Sequence, residues 1–139
     1  MGARKVSNLV LAGAEVTVVS PDVTDALASQ VDSHQIAWVQ SPYSEEHLEG
    51  VFLVVAATND EKLNAGIVTR ATELGALVCD ASSAERTQVI FGALHQGEAD
   101  VTVAVFTDGR DPTTARHTRD RIAEMLDQNP EQEDRSGSA

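Results

Sequence analysis

The sequence predicts an α/β fold, a parallel sheet built from βαβ units and followed by an antiparallel hairpin and a last helix. Three observations predict it. Short apolar runs at 15–19, 36–39, 51–55 and 76–79 alternate with helix-period segments, the pattern of parallel strands joined by crossover helices. The stretch Gly50–Asn64 (GVFLVVAATNDEKLN) sets five apolar residues, too few for a helix and too uniform for a half-exposed strand, against a small polar elbow. Two later apolar runs, 89–94 and 101–106, are separated by a link whose length suits a hairpin.

Each element has a local cause. Gly2–Ala12 reads as a helix with Val6, Leu9 and Val10 on its apolar stripe, and Gly13 stops it. Glu15–Val19 is a β-branched strand, after which Ser20-Pro21-Asp22 turns into a helix over 23–31 opened by Asp22 or Thr24. Ile36–Val39 is a further strand, and Ser44 caps one helical turn over 44–49. Val51–Val55 reads as a buried central strand. Asn59 or Asp60 caps the next helix, with Leu63, Ile67, Ala71 and Leu74 recurring at helical spacing. Gly75 ends that helix before the strand Ala76–Cys79, and 80–88 reads as a polar loop. Val89–Leu94 and Val101–Phe106 form the hairpin about His95–Glu98. Asp111 as N-cap and Pro112 at N1 then start a helix to about Leu126 whose early turns are polar. Residues 127–139 contain no aliphatic or aromatic side chain apart from the terminal Ala139, so a disordered acidic tail is expected there.

Composition narrows the function. A formal charge of -12, from 22 acidic residues against 10 Lys plus Arg, repels polyanions and argues against a nucleic-acid partner. Lys5 and Lys62 are the two lysines, and an acidic, lysine-poor surface suits work in concentrated salt. Cys79 is the one cysteine, so neither an intrachain disulfide nor a cysteine zinc cluster can form within the chain, and a reducing, cytoplasmic setting is expected. No apolar run reaches membrane-spanning length and no signal-peptide pattern opens the chain. His34, His47, His95 and His117 are scattered without the i, i+4 pairing of a helical metal site, and no metal centre is expected.

In open α/β sheets ligands sit where strands end and helices begin, so the elbow Ala56-Ala57-Thr58-Asn59-Asp60 is either a binding site or an ordinary strand-to-helix turn. A dinucleotide-binding unit starts with a strand, a glycine-rich turn and a helix facing the pyrophosphate. This chain starts with such a helix. If that correspondence holds, the sheet is Rossmann-like and lacks its first strand, and Met1-Gly2 is the end of a G-x-G-x-x-G turn. Ser20-Pro21-Asp22 then lies near the adenosine ribose, where Asp22 either accepts from the ribose hydroxyls or caps the following helix.

GARKVSNLVLAGAEVTVVSP (Gly2–Pro21), FLVVAATNDEKLN (Phe52–Asn64), VIFGAL (Val89–Leu94) and VAVFTDGRDP (Val103–Pro112) together resemble the NAD-dependent precorrin-2 dehydrogenases of sirohaem synthesis. That family includes the N-terminal dehydrogenase and ferrochelatase part of sirohaem synthase, and the resemblance runs to about Leu126. It implies oxidation of precorrin-2 to sirohydrochlorin with hydride passed to NAD, and in some relatives insertion of ferrous iron. By position it implies cofactor contacts at Gly2, Ser20, Pro21, Ala57, Thr58 and Asn59. It implies a catalytic aspartate at the place of Ser82, with Asp80 two residues earlier on the same side of an extended chain; both are candidates. The segment that usually reads S-S-G-G or S-T-G-G in the family is here Phe106-Thr107-Asp108-Gly109, a departure from the pattern. Thr107, Arg110, Arg116 and His117 are candidates for the substrate, whose many carboxylates need cations on so acidic a protein.

The expected organisation is an incomplete NAD-binding domain over 1–88, a substrate and dimerisation region over 89–126, and the tail over 127–139. The departures from the family pattern, chiefly the first strand, imply either a start recorded too far downstream or a defective fragment. A homodimer is expected from the hairpin and the polar last helix. The competing class is a nucleotide-binding regulatory module without chemistry, or a remnant that binds nothing, since one fold hosts many functions.

Overall fold

The structure, a computed structural model, describes residues 2–108 and 110–128. Met1, Gly109 and the expected tail beyond Gln128 lie outside the described residues. The chain divides between Ile90 and Phe91 into two compact units.

In the first unit the order is α1 (Gly2–Leu11), β1 (Thr17–Ser20), α2 (Asp25–Asp32), β2 (Ala37–Gln40), a 3-10 turn (Glu45–Leu48), β3 (Leu53–Ala56), α3 (Glu61–Glu73) and β4 (Leu77–Asp80). β1 pairs parallel with β2, Thr17 opposite Ala37, and β3 pairs parallel with β4, Leu53 opposite Leu77. These are two separate two-stranded sheets. Each pair is a strand-helix-strand crossover, as the alternation of runs predicts. Two apolar clusters match the two pairs. Val6, Val16, Leu27 and Ile36 form one, joined by Leu9 and Val10 of α1. Leu48, Val54, Ala56, Ile67, Val68, Ala71, Ala76 and Val78 form the other.

Several expectations are corrected. The run 51–55 is not a fully buried central strand: β3 starts at Leu53, Val51 is exposed, and Phe52 is 81% exposed. The cause is pairing on one side. The Leu77 amide donates to the Phe52 carbonyl and the Ala81 amide to the Ala56 carbonyl, so alternation turns the backbone groups of Leu53 and Val55 away from β4. By the same alternation Thr17 and Val19 face away from β2. On α3 the buried stripe is Asn64, Ile67, Val68 and Ala71, while Leu63 and Leu74 of the expected stripe are exposed. Thr24 caps α2 through the Leu27 amide at 3.4 Å, which leaves the exposed Asp22 out of that role. Asp60 caps α3, accepting from the Lys62 and Leu63 amides at 2.9 and 3.2 Å. Ser44 precedes the 3-10 turn, and its amide donates to His47 Nδ1 at 3.0 Å.

The second unit holds β5 (Ala93–Gln96), β6 (Thr102–Val105) and α4 (Pro112–Asp127). β5 and β6 are antiparallel, Ala93 opposite Val105 and Gln96 opposite Thr102. His95 and Gln96 therefore belong to a strand and not to the turn, and Val89 to Gly92 lie outside the hairpin. The turn starts at Gly97, where Ala99 and Asp100 take left-handed φ of 56° and 60° and the Gly97 amide donates to the Val101 carbonyl at 2.8 Å. Asp111 caps α4 through the Thr114 amide at 2.9 Å, with Pro112 at its start as expected. Ala115 is the buried residue of α4, and Arg119 reaches the Leu94 carbonyl at 3.4 Å. Met125 is 70% exposed.

Candidate functional site

The first unit carries a buried polar network where β3 and β4 end. β3 runs into Ala57-Thr58-Asn59, all three exposed, before Asp60 caps α3. One turn into that helix stands Asn64, 0% exposed although polar. Its Oδ1 accepts from the Thr58 amide at 3.0 Å and from Thr58 Oγ1 at 2.7 Å. Its Nδ2 donates to the Thr58 carbonyl at 3.1 Å and to Ser82 Oγ at 3.1 Å. All four bonding capacities of the amide are used, which is what a polar group this deep requires.

Ser82 and Asp80, the alternative candidates of the sequence, touch each other. Ser82 Oγ donates to Asp80 Oδ1 at 2.5 Å and the Ser82 amide donates to the same oxygen at 2.8 Å. Asp80 is the last residue of β4, its side chain fully buried, and its Oδ2 takes Arg86 Nε at 2.7 Å. Burial alone pushes the Asp80 carboxyl up, but the Ser82 hydroxyl, the Arg86 guanidinium and the Ser82 amide together hold it below the usual carboxylate range. Arg86 also reaches Glu61 at 3.4 Å, and its guanidinium is raised chiefly by its bond to Asp80. Thr87 Oγ1 accepts from the Asp80 amide at 2.9 Å, and the Gln88 and Val89 amides donate to the Val78 carbonyl, so the polar segment after β4 is bound back along its edge.

The remaining candidates divide by what their atoms already do. Ser20, at the end of β1, accepts the Trp38 indole N–H on its carbonyl at 3.0 Å and on its hydroxyl at 3.2 Å. Pro21 and Asp22 are exposed beyond it. Thr58 gives its hydroxyl to Asn64 and accepts the Asp60 amide at 3.2 Å, so it supplies shape and not a free hydroxyl. Gly2 opens α1, and a Cβ there would meet nothing within 4 Å. In the second unit Thr107 accepts the Asp111 amide at 3.1 Å and donates to the Asp111 carbonyl at 2.7 Å. Arg116 bends back onto Pro112 and Thr113 of its own helix, whereas Arg110 and His117 are exposed.

The parts suit a dinucleotide. Small exposed residues form the elbow, and a Cβ at Gly2, where α1 opens, would meet nothing within 4 Å. The Cys79 thiol is pushed up by burial, against the nearby Lys5, and is no thiolate nucleophile. Among the described residues no group of His, Cys, Asp and Glu is arranged to hold a metal ion, and no helix is long and apolar enough to cross a membrane.

Asn64 and Arg86 were missed by sequence reasoning. The signal for Asn64 was present, since 64, 67, 68 and 71 follow the i, i+3, i+4, i+7 rule with one polar member.

Residues 1–93 match the family model described as "Putative NAD(P)-binding". The chain is 32% identical over 126 residues to "Siroheme synthase 1" of Pectobacterium atrosepticum and 33% identical over 128 residues to "Siroheme synthase" of Zymomonas mobilis subsp. mobilis. Those alignments cover 91% and 92% of this chain but 26% and 27% of the relatives, so the chain spans about a quarter of their length. Among solved structures it is similar to "SirC, precorrin-2 dehydrogenase", with a TM-score of 0.70 at 24% identity, over 88% of this chain and 59% of that one. That likeness gives the fold, a Rossmann-like α/β architecture.

Proposed function

Because the chain belongs to the NAD(P)-binding family, we propose that it takes part in the oxidation of precorrin-2 to sirohydrochlorin, with NAD as the hydride acceptor. The observation that carries the reading is the Ser82–Asp80 pair, fixed where β4 ends and tied through Asn64 to the elbow after β3. That edge of an α/β sheet is where cofactor and substrate meet. The relatives named siroheme synthase and the fold shared with a precorrin-2 dehydrogenase support the substrate.

Gly2, the Ser20-Pro21-Asp22 exit of β1 and the Ala57-Thr58-Asn59 elbow hold the cofactor. Asp22, free of any capping duty, is the carboxylate for the ribose hydroxyls, which favours NAD over its 2′-phosphorylated form. The bound nicotinamide supplies the hydride acceptor. Ser82 and Asp80 handle the proton. As the substrate releases it to Ser82 Oγ, the hydrogen already on Ser82 passes to Asp80 Oδ1, and Arg86, which favours the ionised carboxylate, makes Asp80 return it afterwards through the exposed Ser82 to solvent. Arg110 and His117 are the hydrogen-bond donors for substrate carboxylates, with Thr107 and Arg116 shaping the same turn. The exposed Phe106, Met125 and Leu126 of the second unit supply apolar surface for a homodimer.

Anaerobic incubation of the full chain with precorrin-2 and NAD, followed by absorbance, tests the proposal. Sirohydrochlorin should form, and D80A/S82A should abolish its formation while leaving NAD affinity within threefold. Equal turnover by that variant refutes the assignment. The engagement of Asp80 by Arg86 favours a second reading, a nucleotide-binding module without chemistry. Calorimetric binding of NAD with no product from any tetrapyrrole would establish it.

A further inference from the structure

We infer that Asn64 is a positioning residue that sets the direction of the proton across Ser82 and locks the cofactor elbow to that hydroxyl; the inference rests on the dehydrogenase reading above. A serine hydroxyl has one hydrogen to give. Asn64 Nδ2 can only donate, and it points at Ser82 Oγ from 3.1 Å, so the Ser82 hydrogen is left to Asp80 Oδ1 at 2.5 Å. The bonds Asn64 to Ser82 to Asp80 therefore all run one way, toward the carboxylate that Arg86 keeps ionised. One lone pair on the hydroxyl of Ser82, an exposed residue, is left as an acceptor.

The opposite end of the same amide completes the device. Asn64 Oδ1 and Nδ2 hold the Thr58 amide, hydroxyl and carbonyl, so one side chain fixes both the strand-to-helix elbow and the proton-handling hydroxyl. Leucine matches the shape of Asn64 without its bonds. Aspartate matches it with two acceptors and no donor until it is protonated. In N64D the Ser82 hydrogen has two carboxylates to choose from, and protonation of Asp at 64 restores a donor toward Ser82.

Turnover of precorrin-2 is measured for wild type, N64D and N64L from pH 5 to pH 9, beside hydrogen exchange at the Thr58 and Ser82 amides. N64D should turn over about 100-fold more slowly at pH 8, with the deficit shrinking at least tenfold toward pH 5. N64L should be equally slow with no acid recovery, and both amides should exchange faster together in N64L. Turnover of N64D within threefold of wild type at pH 8, or the same deficit at every pH in both variants, overturns the inference, the second outcome leaving Asn64 a purely structural residue. N64L carries no charge inward and decides the matter if N64D does not fold, since its turnover within threefold of wild type also overturns the inference. If wild type itself forms no sirohydrochlorin the dehydrogenase reading fails, and exchange then decides for Asn64. Joint acceleration of Thr58 and Ser82 supports the coupling and unchanged exchange refutes it.

Discussion

Replacing Asp80 with Asn tests the reasoning about the site without removing any volume. The carboxylate receives three bonds, from Ser82 Oγ at 2.5 Å, the Ser82 amide at 2.8 Å and Arg86 Nε at 2.7 Å, and its side chain is fully buried. Asparagine keeps an acceptor for the two Ser82 bonds but turns an N–H toward the guanidinium, so one charge-assisted bond is lost and two donors are opposed. Hydrogen bonds to charged groups contribute roughly 1.5–3 kcal/mol each, and the partly exposed guanidinium argues against a larger value, so D80N should lose about 2 kcal/mol at pH 7. With a urea slope of about 2 kcal/mol per molar, the midpoint falls by about 1 M. Trp38, the one tryptophan, reports on the unfolding from β2 while far-ultraviolet dichroism reports on the helices. The pH dependence has a definite sign. The folded-state pKa of Asp80 is depressed, so its stabilisation is fully present above the unfolded value of about 3.9 and is lost as the pH falls through the lower folded value. The gap between wild type and D80N should therefore hold constant from pH 7 to pH 5 and narrow only below about pH 4. A midpoint within 0.2 M of wild type at pH 7, taking about 0.5 kcal/mol as the ordinary scatter of surface substitutions, or a gap that persists undiminished in acid, would refute the account.

Other consequences follow from the same structure. Backbone amides of Val19 and Val55, which alternation turns away from their paired strands, should exchange with deuterium faster than those of Val18 and Val54; equal protection would mean that these edges are paired in solution. D60A removes the acceptor of the Lys62 and Leu63 amides and should cost about 1 kcal/mol, read as a lower urea midpoint, and no change would show that the cap is replaceable by water. With a net charge of -12 and two lysines, the chain should melt at a higher temperature as potassium chloride is raised into the molar range, whereas a flat response would remove the idea that its surface is adapted to salt.

The sequence was most legible where a signal is local. Asp111-Pro112, the glycines after α1 and α3, and Asp60 each declare a helix end through the chemistry of one or two residues, and α4 and α3 begin where those residues stand. The apolar run 51–55 declared a strand but not what lies on its far side, because burial of a strand depends on pairing with residues distant in sequence. Hence Phe52 stands exposed where a buried central strand was expected. The hairpin slipped for a related reason: its turn is fixed by the left-handed Ala99 and Asp100, neither of which advertises that conformation as glycine would.

The same distinction explains what was legible of the site. Ser82 could be picked out by the family resemblance, and Asp80 beside it because residues two apart on an extended chain share a face. That they form one unit required the chain to bend after β4 so that the Ser82 amide and hydroxyl both return to the Asp80 carboxylate. Asn64 was hidden more deeply. It sits on the buried stripe of α3, where a polar residue is costly unless all its atoms are bonded, and its partners Thr58 and Ser82 lie six residues before it and eighteen after it. A polar residue on an apolar helical stripe is therefore informative in itself: in a folded chain it has a set of partners, and those partners are where elements that must keep a fixed relation meet. Here they are the elbow after β3 and the loop after β4, so the residue that looks least suited to the core of α3 ties together the two segments proposed to hold the cofactor and handle the proton.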